Sequence, residues 1–187
     1  MTLIGMSKED KRHDVEVLNR SLYFEHQGVW AYDFAATKLS QTDVGKAVLA
    51  LALENRADHQ KHEELLISAI QDLGGTPVQS EKQYDVSSYL KKREGDIDSD
   101  VNIAKLALAI EIDAAVGYIG DTMDLKSRSL MALTAGIANV EAIHAARIRV
   151  AFNALGISVP IVPSSAINKA TRDSWVLSVS EQPTAHP

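Results

Sequence analysis

The feature that most restricts this chain is a helical hydrophobic period that recurs in four separate stretches. In the first, Val15, Leu18, Leu22, Glu25, Val29, Tyr32, Ala36 and Leu39 follow at alternating spacings of three and four, which places them on one stripe of a helix. The second takes Asp43 as its predicted N-cap and runs through Val44, Val48, Leu51, His62, Leu66, Ala69 and Leu73 to Gly74 and Gly75, with Pro77 beyond. A third stripe, of Ala104, Ala107, Glu111, Ala114, Tyr118 and Leu125, follows the polar stretch from Asp96 to Asp100. The fourth opens near Ser129, carries Leu130, Ile137, Glu141, His144, Ile148, Ala151 and Leu155, and stops at Gly156. A chain patterned in this way is expected to be all-α.

Connection lengths arrange these helices. About four residues join the first two, and about four to six join the last two, so each pair is predicted to be an antiparallel hairpin. Between the hairpins, Thr76 to Ser99 forms a long crossover with one short helical turn expected around Val86 to Leu90, followed by a solvated turn at Lys91 to Arg93. Two antiparallel helical hairpins joined by a long crossover predict a four-helix bundle over residues 14–156. Residues 1–13 then form an N-terminal extension and residues 157–187 a C-terminal tail. The alternating patch from Ser174 to Val179 in that tail is expected to dock on the bundle or on a neighbouring subunit.

Composition narrows the function. At 45% hydrophobic and 24% charged residues the chain has globular values. It contains no Cys, which removes disulfides, thiolate zinc sites, iron–sulfur clusters and a cysteine nucleophile, and leaves oxygen and imidazole as the only ligands for a metal. A net charge of −6 without a basic stripe argues against a nucleic-acid partner and suits a cationic one. The longest apolar run, Ala47 to Leu53, has seven residues, well short of the ~20 that cross a bilayer, so no membrane partner is expected. The apolar part of Met1 to Asp14 is shorter than a signal-peptide core, and a cytoplasmic location is the default expectation.

Acids and imidazoles interrupt the buried stripes in a pattern. Glu and His are costly to bury singly, so one on each helix calls for a compensating partner or a metal. Glu25 and Tyr32 are seven residues apart, as are Glu111 and Tyr118, so the first and third helices repeat an acid and a phenol on one face. Glu141 and His144 are spaced by three, and the second helix offers His59 and His62 at the same spacing. Side chains three residues apart on a helix are neighbours and can reach one ion together. Tyr32, Tyr118 and Trp30 are expected to pack in the core or just outside the ligands, and His26, about 100° round the helix from Glu25, is left off the site.

A carboxylate from each of two helices plus a Glu-x-x-His pair from each of two others is the inward-facing ligand set of ferritin-like dimetal proteins. Residues about 14 to 156 resemble a ferritin-like domain of the bacterioferritin and rubrerythrin superfamily, above all its small bacterial members. The resemblance is carried by LNRSLYFEHQGVWAYDFA in the first helix, ALAIEIDAAVGY in the third and IANVEAIHAARI in the fourth. It implies a ferritin-like four-helix bundle with Glu25 and Glu111 as terminal carboxylates, Glu141 as a bridging carboxylate, and His62 and His144 as imidazole ligands.

One departure stands out. Where the family places the glutamate of its first Glu-x-x-His, this chain has His59, and a neutral imidazole cannot bridge two cations as a carboxylate does. Asp58, four residues before His62, is the alternative ligand from this helix. With His59 the set holds three carboxylates and three imidazoles, or −3 against +4 for two divalent ions. Hard oxygens with borderline imidazoles suit iron, manganese or zinc. The resemblance implies two iron ions and a ferroxidase-like oxidation of Fe(II) by O2 or peroxide, while the long crossover and tail suit a homodimer better than a storage cage. The alternative is a stress-associated or structural bundle with a degenerate site that holds one ion or none.

Overall fold

The computed structural model describes residues 5–179. The outermost residues of the predicted extension (1–4) and of the predicted tail (180–187) lie outside the described residues. Four long helices dominate: α1 (Lys8–Ala36), α2 (Asp43–Asp72), α4 (Asp100–Asp124) and α5 (Arg128–Ala154), with short helices α3 (Ser87–Lys92) in the crossover and α6 (Arg172–Trp175) in the tail. The protein is all-α, with α1 packed on α2 and α4 on α5 as two hairpins, and α1 against α4 and α2 against α5 closing the bundle. No helix among the described residues is long and apolar enough to cross a membrane.

Side chains set the helix starts. Ser7, Thr42 and Ser99 each accept a hydrogen bond from the backbone N–H three residues on, satisfying one of the free donors at a helix N-terminus. The N-cap of α2 is therefore Thr42, and Asp43, predicted for that role, is the first helical residue. Helix α1 begins at Lys8, seven residues before Val15 opens the apolar stripe, because the cap at Ser7 and the acids Glu9 and Asp10 favour a helix start there.

Two apolar clusters fill the bundle. One gathers Leu18, Leu22, Leu66, Ile70, Leu125, Leu130 and Ile137. The other gathers Val48, Leu108, Ile112, Ala145, Ile148 and Phe152. On α2 and α5 the predicted ligand residues fall between the two clusters, and on α4 Glu111 sits beside Ile112 at the inner edge of the second, so a polar layer separates two apolar ends.

The crossover runs beside α1. Asn19 donates to the Thr76 carbonyl (3.1 Å) and accepts from the Val78 N–H (2.7 Å), and Tyr84 packs edge-on against Tyr23. At its far end Gly95 has φ +136°, and a Cβ there would lie 2.3 Å from the backbone of Leu106, so only glycine lets the chain turn so close to α4. The tail docks on its own bundle: Arg172 pairs with both Glu94 and Asp113, Arg149 donates to the carbonyls of Pro160 and Trp175, and Lys105 donates to that of Ser178. Trp175 is buried against the apolar cluster around Phe152.

Candidate metal centre

All six residues singled out by the sequence converge in the polar layer and are buried. Glu25 comes from α1, His59 and His62 from α2, Glu111 from α4, and Glu141 and His144 from α5. They form two overlapping groups of four whose nearest ligand atoms lie within 4.8 Å of one another: Glu25, His59, His62 and Glu141 in one, and His59, Glu111, Glu141 and His144 in the other. His59 and Glu141 belong to both. Asp58, the alternative on α2, is one-third exposed and outside these groups; it faces the far nitrogen of His144, with Oδ2 3.3 Å from Nε2.

The distances show how tightly the donors crowd. His59 Nδ1 lies 2.7 Å from Glu25 Oε2 and 3.7 Å from Glu141 Oε1, while its Nε2 lies 3.4 Å from Glu111 Oε1. His144 Nδ1 is 3.3 Å from Glu111 Oε2 and 3.2 Å from Glu141 Oε2. His62 Nδ1 is 2.9 Å from Glu141 Oε1 and 3.5 Å from Glu25 Oε2. Despite that proximity the His62 and Glu141 atoms are not aligned as a hydrogen bond, and neither has a hydrogen-bond partner among the described residues. Two buried, unpartnered ligand atoms turned toward one small volume fit a cation placed among them.

Without metal, protons supply the positive charge. Burial opposes charging His59, but Glu141, Glu111 and Glu25 outweigh it and hold the ring's pKa well above its ordinary value. Burial likewise opposes His62 and His144, yet the neighbouring carboxylates push them up to about 9 and about 10. Burial on its own would raise Glu25; the charge of His59 and contacts with both α2 imidazoles bring it down to about 2. Glu111 is depressed for the same reason, by His59 and His144, against its burial. Glu141 goes the other way: burial raises it, and the attraction of the imidazoles does not fully offset burial and the nearby charge of Glu111. The donor set is thus a nest of carboxylates balanced by imidazolium, which a divalent ion enters by displacing protons.

An outer layer fixes the ligands. Tyr32 of α1 donates to Glu111 of α4, and Tyr118 of α4 donates to Glu25 of α1, so the repeated acid and phenol pair crosswise between the hairpins. Asn55, fully buried on α2, donates to Tyr32 (3.0 Å) and to Glu111 (3.3 Å), and its carbonyl accepts from Arg147. Sequence reasoning passed over Asn55; its place one helical turn before His59, on the same face, is the signal that points to it. Trp30 and His26 lie away from the ligands. Trp30 is stacked on Phe34 and lines a different cavity, away from the ligand groups. His26, left off the site, is buried between Glu63 (2.6 Å) and the Val78 carbonyl (3.2 Å).

The fold and this inward cluster of carboxylates and imidazoles define a class, the four-helix bundles that build a polar layer at mid-height. The chain belongs to the ferritin-like domain family, which matches residues 13–154. Solved structures share its fold. A conserved hypothetical protein from Mycobacterium tuberculosis superposes with a TM-score of 0.61 at 18% identity, covering 73% of this chain and 95% of that one. A ferritin-like, diiron-carboxylate protein from Bacillus anthracis strain Ames superposes with a TM-score of 0.55 at 19% identity, covering 80% of this chain and 99% of that one. No curated protein matches the chain by sequence.

Proposed function

We propose that the protein binds two iron ions in the polar layer, which Glu25 and Glu111 as terminal carboxylates, His59, His62 and His144 as imidazoles, and Glu141 as the carboxylate common to both groups would hold. The observation that carries this reading is the pair of overlapping ligand groups, together with the unpartnered atoms of His62 and Glu141. A likeness to a diiron-carboxylate fold supports iron as the metal, with manganese and zinc suited by the same donors. Bound iron would supply the redox chemistry, oxidation of Fe(II) by O2 or peroxide, which makes the protein a ferroxidase-like oxidoreductase. The chain's own residues do the rest: three carboxylates offset the incoming charge, the phenols of Tyr32 and Tyr118 orient Glu111 and Glu25, and the apolar ends exclude water. We take the protein to be a cytoplasmic homodimer, which light scattering distinguishes from a cage.

Anaerobic Fe(II) titration followed by oxygen, on the wild type and on Glu141→Ala, tests this reading. The wild type is expected to take about two ions per chain and to develop an oxidation absorbance. The variant is expected to lose both, and uptake unchanged by the substitution removes the site. A second reading, a single ion, is favoured by His59 alone: one divalent ion and one retained imidazolium balance three carboxylates, a sum of zero. Saturation at about one ion per chain selects it.

A further inference from the structure

A cleft of about 310 Å³ opens between α1 and α4 and reaches the polar layer from the side, with Glu25, His59 and Tyr118 in its wall. Apolar and small residues make up much of the remainder: Phe24, Ile110, Ala114 and Gly117 from the two helices, and Tyr89 from the crossover. A missing side chain on α4 helps to keep the cleft open. At position 28 a Cβ would press on the His59 ring at 3.2 Å, so α1 is closed down on the imidazole there. At position 117 a Cβ would meet nothing within 4 Å among the described residues. A helical glycine facing empty space costs about 1 kcal/mol relative to alanine and gains no packing in return.

The charges in the wall are already matched. Arg20 is held by Asp121 and Asp124, Asp121 also accepts from Ser21, and Asp113 is paired with Arg172. Glu25 accepts from Tyr118 and faces His59. No unmatched cation is offered to an anion, and the acids would repel one. A cavity of about 150 Å³ is enough for benzene, and pockets from about 300 Å³ take larger organic ligands.

We propose that this cleft binds a small uncharged organic molecule, mainly apolar and of one or two rings or the equivalent chain, directly against the Glu25 and His59 edge of the centre. Its contact with bound ions rests on the metal-binding reading above; the cleft itself does not. Indole, p-cresol and cyclohexanol at millimolar concentration are suitable probes, titrated calorimetrically into metal-free and Co(II)-loaded protein. Gly117→Leu sends an isobutyl group into the open space from a position that is not itself a metal ligand, and Ala114→Leu is a second obstruction three residues away on the same face.

At least one probe is expected to bind the wild type in both forms and to shift the visible bands of Co(II). Its affinity is expected to fall at least about tenfold in both variants, with Co(II) stoichiometry unchanged and the melting temperature not lowered. No binding by any of the three probes, or equal binding to wild type and both variants, overturns the proposal. Probe binding that the leucines abolish, in a protein that takes up no Co(II), upholds the cleft and removes the metal reading. Full Co(II) uptake with no probe binding does the reverse.

Discussion

At the scale of single residues, protons and metal ions compete for the same six groups. His62 and His144 titrate at about 9 and about 10 in the folded, metal-free protein, against an ordinary 6.5, so their stabilisation is complete below 6.5 and is lost as pH rises through those values. Glu25, lowered from 4.5 to about 2, contributes stability that is complete above 4.5 and is lost as pH falls toward 2. Thermal melts of metal-free protein are therefore expected to peak between about pH 4.5 and 6.5 and to weaken toward pH 10; a maximum on the alkaline side contradicts the assignment. Metal affinity runs the opposite way, tightening as pH rises, because each ligand must shed its proton to bind. Replacing His59 with the family's residue gives a sharper test. His59→Glu changes the donor charge from −3 to −4, and chelator competition is expected to show the second ion bound at least about tenfold more tightly. If the affinity for the second ion stays the same, His59 is not what limits its binding.

At the scale of elements, the close approaches are the sensitive points. Gly95→Ala is expected to cost more than about 2 kcal/mol in urea denaturation, since its Cβ would strike the Leu106 backbone and its φ is in the left-handed half of the map. Gly28→Ala is expected to leave the fold intact but to weaken metal uptake by turning the His59 ring, read by Co(II) titration against wild type. The four long helices and the two hairpins were legible because a period of three and four residues is set by local geometry, and Gly74 with Gly75 marks an end that needs φ +82°. The ligand layer was legible for the same reason, as acids and imidazoles sitting on otherwise apolar stripes. Asp58 and His59, adjacent and some 100° apart, were not separable by spacing in so polar a stretch; only the rotation at which α2 meets α1 sends His59 inward and Asp58 behind His144. Asn55 and Arg147 were invisible for a related reason, as their bond joins two helices far apart in the chain.

At the scale of the whole molecule, the tail is a strap rather than an appendage. Arg172 ties it to buried Glu94 of the crossover and to one-third-exposed Asp113 of α4, so Arg172→Ala leaves the Glu94 carboxylate without its cation and is expected to cost about 2 kcal/mol. With Trp30 replaced by Phe, the fluorescence of Trp175 reports the event: a red shift in Arg172→Ala marks the tail lifting away, and an unshifted spectrum shows that the apolar contacts hold it alone. The crosswise phenols bind the two hairpins in a different sense. Tyr32 holds a carboxylate of the second hairpin and Tyr118 one of the first. A chain severed within the crossover would therefore yield two fragments, each inert by itself, and reuniting them would restore both halves of the centre at once.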